Sequence, residues 1–344
     1  MQVGLRPGAV RSLRPNIRAI LLAGAEAAPA PVRALDLVLL GVAALYVAAF
    51  LGAGVLRAVF PFQLDGLEPG ALREMRRILV GEPVYVRPGL EYVPYIYGPA
   101  YFYASALVAL LTGPNYVALR LVSLGASIAS IALVALIVRR ETHSLAAGLV
   151  GGGLLAACAP LADHAWDVAR MDALSLAFML GAIYAARVAV LETDSPWRSS
   201  LWAGLLAGLA VLTKQSGIPI LLALLLALGL TRPRMVPGFV LAAGITIAVP
   251  LGLLSAQSGP WPMFYIWELP RRHDISLDLI PRFWNDMLGR FTLPIVVAPL
   301  YFVGRIMRRD RRGLSFYSIV SLAMLGTAWA SRSNVGGALN VELP

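Results

Sequence analysis

The chain is poor in charge and nearly devoid of cysteine, lysine and histidine. Its single cysteine, Cys158, lies inside an apolar run, which excludes internal disulfides and thiolate metal sites. Its single lysine is Lys214, so the net charge of +10 over 344 residues is carried by arginine. Charged residues make up 14% of the chain against 58% hydrophobic ones, and the mean hydropathy is +0.73. That balance is far from a soluble globular composition. A basic soluble domain, which nucleic acid would require, is absent.

What is present is a series of long apolar runs. Nine of them, at about 34–56, 116–138, 145–161, 173–191, 201–213, 216–231, 236–256, 292–307 and 314–330, approach the 17–25 residues that cross a bilayer as helices. The expected fold is therefore all-α, a polytopic transmembrane helix bundle of about nine spans over 34–330. Residues 1–33 form a basic segment with five arginines and a short run, AILLAGA, that mimics a signal peptide. Uncleaved arginines ahead of the first span fit a cytoplasmic N-terminus better. No carboxylate lies near the middle of any span, which argues against a proton- or ion-coupled transporter. No inverted repeat signals alternating access.

Charge sets the expected orientation. The run PAYFYASALVALLT at 99–112 would be about 21 Å long as a helix, short of the roughly 30 Å hydrocarbon core, and reads as interfacial or re-entrant. Arg139, Arg140, Arg198, Arg232, Arg234 and the RRDRR run at 308–312 then fall on the cytoplasmic side. The outer side receives residues 57–115, the loop at 162–172, Lys214, the loop at 257–291 and the segment 331–344, which together hold thirteen of the nineteen acids. An inner (plasma) membrane protein with extracytoplasmic chemistry is the expectation.

The stretch DGLEPGALREMRR opens the first outer loop. Glu68 followed by Pro69 marks a helix start, and Gly81 its stop near Leu79. Arg73 and Arg77 share a face, and Glu74 and Arg77 stand at pairing distance. Asp65, ahead of the helix, either serves as a general base for an acceptor hydroxyl or only caps a turn with Gly66. The segment YVPYIYGPAYFY at 92–103, with Tyr97 at its centre, forms an interfacial aromatic belt or stacks on sugar faces. Arg120 begins the next span, where it either meets lipid phosphate or snorkels. In PLADHAWDVARMDALS, Asp163, His164, Asp167 and Asp172 are hard-ligand types that a divalent cation accepts, but their spacing matches no defined metal motif. Arg170 and Asp172 immediately precede a span. Lys214 in TKQSG either holds an anion such as a lipid phosphate or is a plain loop lysine. His273 in WPMFYIWELPRRHDI is a ligand donor or an exposed loop residue.

These pieces, in this order, resemble the extracytoplasmic glycosyltransferases of the GT-C superfamily, close to dolichyl-phosphate-mannose protein mannosyltransferases and bacterial aminoarabinose transferases. The residues that carry the likeness are Asp65, YGPAYFY, ALRLVS, ARMDALSLAF, LTKQSGI and FYIWELPRRH. The resemblance implies a polyprenyl-phosphate-sugar donor, a glycan, lipid or protein acceptor, and inversion at the sugar. It also implies Asp65 as base, Arg170 and Asp172 as the pair that shapes the site, and Arg120 and Lys214 as donors to the phosphate, while Arg73 and Arg77, on one helix face, either meet lipid phosphate or solvate that face. No cofactor is expected, a divalent cation at the 163–172 acids being the alternative. Many relatives carry a second acid directly after the first, whereas Gly66 follows Asp65 here, which leaves Glu68 as the rival base. Relatives are also longer, so the chain ending at SNVGGALNVELP is expected to be truncated or to need a partner. A lipid-linked-sugar flippase and a non-catalytic scaffold of the same fold are the alternatives.

Overall fold

The computed structural model describes residues 30–162, 165–192 and 197–334. The readings of residues 1–29, of Asp163 and His164, and of residues 335–344 lie outside this range.

The described chain is helical. An isolated bridge between Ile275 and Asn334 is its nearest approach to a sheet. The helices are α1 (Ala30–Ala58), α2 (Glu68–Leu79), α3 (Ala100–Thr112), α4 (Tyr116–Thr142), α5 (Leu145–Ala157), α6 (Asp172–Leu191), α7 (Trp197–Thr213), α8 (Gly217–Thr231), α9 (Val236–Ser258), α10 (Leu279–Arg290), α11 (Thr292–Met307) and α12 (Arg311–Ser333). Several start where a side chain caps orphan backbone donors. Asn115 accepts from Ala118 N–H ahead of α4, Ser144 from Ala147 ahead of α5, and Asp310 from Gly313 ahead of α12.

All nine expected apolar runs fold as helices, but their lengths differ from the expectation. Among the described residues, six helical segments are long and apolar enough to cross a membrane, and seven if α10 and α11, bent by 80° at their junction, count as one broken span. The deficit falls on α7, α8 and α11, with 17, 15 and 16 residues. At 1.5 Å per residue such helices rise about 22–26 Å. The α3 helix, with 13 residues, is too short to cross alone.

Packing relies on small residues, as expected where lipid offers apolar side chains no competitive disadvantage. On α7, Gly204 and Gly208 face α9, and a methyl at Gly204 would stand 2.3 Å from the Phe239 carbonyl. On α5, a methyl at Gly153 would stand 2.4 Å from Ala43 of α1. The largest core cluster joins α6, α7, α8, α9 and α12, and a second joins α2, α3 and the start of α4.

Ion pairs gather the helix ends into two groups. At one end Arg57 of α1 meets Asp167, and Arg120 of α4 meets Glu68 of α2. At the other, Glu141 of α4, Arg187 and Glu192 of α6 and Arg305 of α11 form one network.

Candidate active site

The α2 helix runs from Glu68 to Leu79, with Pro69 in its first turn and Gly81 at φ +77° just past its end, as the sequence signals predict. Its charged residues are used differently from the expectation. Glu74 is fully buried and accepts from the Tyr92 hydroxyl and, at 2.9 Å, from Tyr95 N–H. It therefore does not partner Arg77, which pairs with Glu82 at 2.8 Å, donates to the Pro83 carbonyl and lies 4.2 Å over the Tyr92 ring. Arg73 donates to the Glu91 carbonyl at 2.8 Å, and Arg76 donates twice to Pro114. The basic face expected to meet lipid phosphate thus holds down the loop that follows α2. Burial pushes the Glu74 carboxyl up to about 7, despite the hydrogen bonds from Tyr92 and Tyr95 and the nearby arginines.

Glu68 and Arg120 form a closed buried unit. Arg120 donates through Nε and one terminal nitrogen to the two Glu68 carboxylate oxygens at 2.8 and 2.6 Å. Its remaining N–H groups reach the carbonyls of Arg57, Phe60 and Phe62. Five donors are the full complement of a guanidinium, so a phosphate would have to displace one of these partners. Glu68 also accepts from Leu64 N–H at 2.6 Å and from Ala169 N–H at 2.9 Å. Burial opposes its charge, but Arg120 and the two backbone donors prevail and hold the carboxyl below the usual range. A carboxylate so saturated and so buried has no free face for a substrate proton.

Asp65 is placed otherwise. Its side chain is 25% exposed, one oxygen accepts from Leu67 N–H at 2.9 Å, and the other faces the Arg170 guanidinium at 3.4 Å. From there the charges alternate. Arg170 also meets Asp172 at 3.5 Å, and Asp172 accepts from Lys214 Nζ at 2.7 Å. This ladder, Asp65–Arg170–Asp172–Lys214, draws its members from the approach to α2, the 165–171 loop, the first residue of α6 and the end of α7. Arg170 is held loosely: both of its ion contacts are long, and its buried Nε–H has no hydrogen-bond partner. Its backbone, by contrast, is pinned by Ser123, which donates to the Arg170 carbonyl at 3.0 Å, and by the Ala169 bond to Glu68.

Tyr97 lies within electrostatic reach of the ladder. Burial raises its phenol, and the charges of Lys214, Asp172, Arg170 and Asp65 all act on it. It is delivered there by Gly98, whose missing side chain lets the loop touch α7: a Cβ at Gly98 would stand 1.9 Å from the Leu212 carbonyl. The Gln215 amide then donates to the carbonyls of Ile96 and Ile266, tying loop, α7 end and the π-helical turn Phe264–Glu268 together.

Other expected contributors lie elsewhere. His273 is exposed, and its side chain makes no hydrogen bond among the described residues. Asp167 is buried on Arg57, apart from any group of three or more metal-ligating side chains among the described residues. The roles of Gln215 and of the Arg57–Asp167 pair were not visible in the sequence. The only signal was an arginine closing one span and an acid in a distant loop.

The family model for dolichyl-phosphate-mannose-protein mannosyltransferase matches residues 94–254. No curated protein matches the chain in sequence. Two crystal structures of ArnT from Cupriavidus metallidurans share its architecture. The apo form superposes with a TM-score of 0.65 at 20% identity, over 87% of this chain and 57% of that one. The form bound to undecaprenyl phosphate gives 0.63 at 18% identity, over 88% and 57%. The chain thus spans little more than half the length of the structures it matches. The helical order, the apolar spans and these matches together identify the fold as the multi-pass helical fold of the ArnT structures.

Proposed function

We propose that the protein is a membrane glycosyltransferase that moves a sugar from a polyprenyl phosphate to an extracytoplasmic acceptor, with inversion. The observation that carries this reading is the ladder of Asp65, Arg170, Asp172 and Lys214, assembled from four separate elements at one end of the bundle. A solved structure of the same fold holds undecaprenyl phosphate, which supports the donor class.

Asp65 takes the proton of the acceptor hydroxyl as its oxygen attacks the anomeric carbon. The bond from that carbon to the phosphate oxygen breaks, and the polyprenyl phosphate leaves with the electron pair. Negative charge grows on the leaving phosphate, and a fixed cation nearby lowers the barrier more than it lowers the ground state. Arg170, held by two long ion contacts, and Lys214 are the cations available for this. Glu68 and Arg120, instead of acting as base and phosphate ligand, brace the loop that presents Arg170. Tyr97 offers an aromatic face to the sugar.

The test is reconstitution of the full chain with a polyprenyl phosphate carrying a radiolabelled sugar and an envelope extract as acceptor. Label leaving the lipid for the acceptor, with the opposite anomeric configuration, supports the reading. Label that crosses proteoliposomes still attached to its lipid identifies a carrier instead.

A further inference from the structure

The turn between α11 and α12, at the end of the bundle away from the ladder, holds four arginines in five residues. Arg308, Arg309, Arg311 and Arg312 are exposed, and none makes a side-chain ion pair or hydrogen bond among the described residues. The one acid between them is already committed. Asp310 accepts from Gly313 N–H at 2.9 Å and pairs with Arg305. Arg305 in turn is fixed by Glu141 and by the Tyr301 hydroxyl at 2.8 Å. The floor of the turn is therefore neutral and rigid, while its rim is an uncompensated cluster of positive charge.

We propose that this turn binds the phosphate of an anionic phospholipid in the leaflet opposite the candidate active site. Arg309 holds a left-handed backbone at φ +55°, uncommon for a residue with a side chain. That conformation is kept by backbone bonds from Arg309 N–H to Ile306 and from Asp310 N–H to Arg305. Arg309 and Arg311 line one cavity of about 320 Å³ with Ile306, Leu314 and the paired Arg305 and Asp310, wide enough for a phosphate group and with a net positive lining. Two arginines on one phosphodiester give charge-assisted, geometrically matched hydrogen bonds. Ile306 and Met307, 60% and 79% exposed, sit one step along α11, where acyl chains would cover them. A phosphate carried on a lipid satisfies both the charge and this apolar shoulder. Clusters of this size beside a membrane helix are attracted to anionic head groups.

The proposal is independent of the transfer reaction and is tested without it. Full-length protein in neutral detergent is titrated with phosphatidylglycerol or phosphatidylcholine, and retained lipid is read by native mass spectrometry. Wild type should retain phosphatidylglycerol preferentially, and raised salt should weaken it. Combining Arg309→Gln with Arg311→Gln should weaken that retention roughly thirty-fold, the effect of two surface charges. Arg87→Gln, which removes an exposed arginine of the long loop after α2, should leave it unchanged. Equal retention of both lipids, or undiminished retention by the double variant with an unchanged unfolding midpoint, overturns the proposal. Complete displacement by inorganic phosphate alone would overturn the lipid as the source of that phosphate.

Discussion

Asp65 and Glu68 are three residues apart, and their surroundings give them opposite chemistry. Glu68 accepts four hydrogen bonds in a site closed to solvent, whereas the Asp65 side chain is a quarter exposed beside a loosely held arginine. Glu68→Gln should strand the Arg120 charge and destabilise the protein by about 3–5 kcal/mol, seen as a large drop in unfolding midpoint. Asp65→Asn keeps the acceptor for Leu67 N–H and removes only a partly exposed ion contact, so the same measurement should move by less than about 1 kcal/mol. Lys214→Met should lower kcat/KM for the polyprenyl-phosphate donor by about ten- to a hundredfold, the worth of one charge-assisted bond. An unchanged value would make Lys214 a structural partner of Asp172 only. The sequence singled out Asp65, Arg170, Asp172 and Lys214, and the structure brings these four side chains together. It was silent on whether Arg120 was free or saturated, because that depends on carbonyls about 60 residues away at Arg57, Phe60 and Phe62.

At the scale of elements, the loop between α2 and α3 brings Tyr97 to the ladder. It is fastened by Arg73, Glu74 and Arg77 on one side and by Gly98 and Gln215 on the other. Glu74 makes the first fastening sensitive to pH. Its folded pKa of about 7 lies above the ordinary glutamate value of 4.5, so the folded state binds the extra proton between these values. Stability is then greatest at the acidic end of this window, falls as pH rises through it, and levels off above about 7. Thermal unfolding in detergent between pH 5 and 8 should show this decline, and Glu74→Gln should flatten it. Gly98→Ala, which drives a methyl into the Leu212 carbonyl, should cost about 1–3 kcal/mol through forced backbone movement and reduce transfer with it. The boundaries of α2 were legible from Glu68-Pro69 and Gly81, because capping and left-handed stops are local. The destinations of its arginines were not, because the loop carbonyls they meet are set by tertiary structure.

At the scale of the whole molecule, hydropathy located the helices, and among the described residues six or seven of the nine expected spans are long and apolar enough to cross a bilayer. A run of apolar residues is visible in sequence; a helix of 15–17 residues, or the 80° break between α10 and α11, is set by turns and packing. The charge pattern predicts opposite faces for the two groups of helix ends. In a Cys158→Ala background, Arg87→Cys should react with an impermeant thiol reagent from outside, and Arg309→Cys should stay protected until the membrane is opened; the reverse pattern would overturn the orientation. The central claim is that Asp65 is the base of a sugar transfer. Asp65→Asn, in membranes matched for protein level and supplied with labelled polyprenyl-phosphate sugar, is the direct measurement. The account predicts that transfer falls by about a hundredfold or more, as for loss of a general base, and undiminished transfer would contradict it.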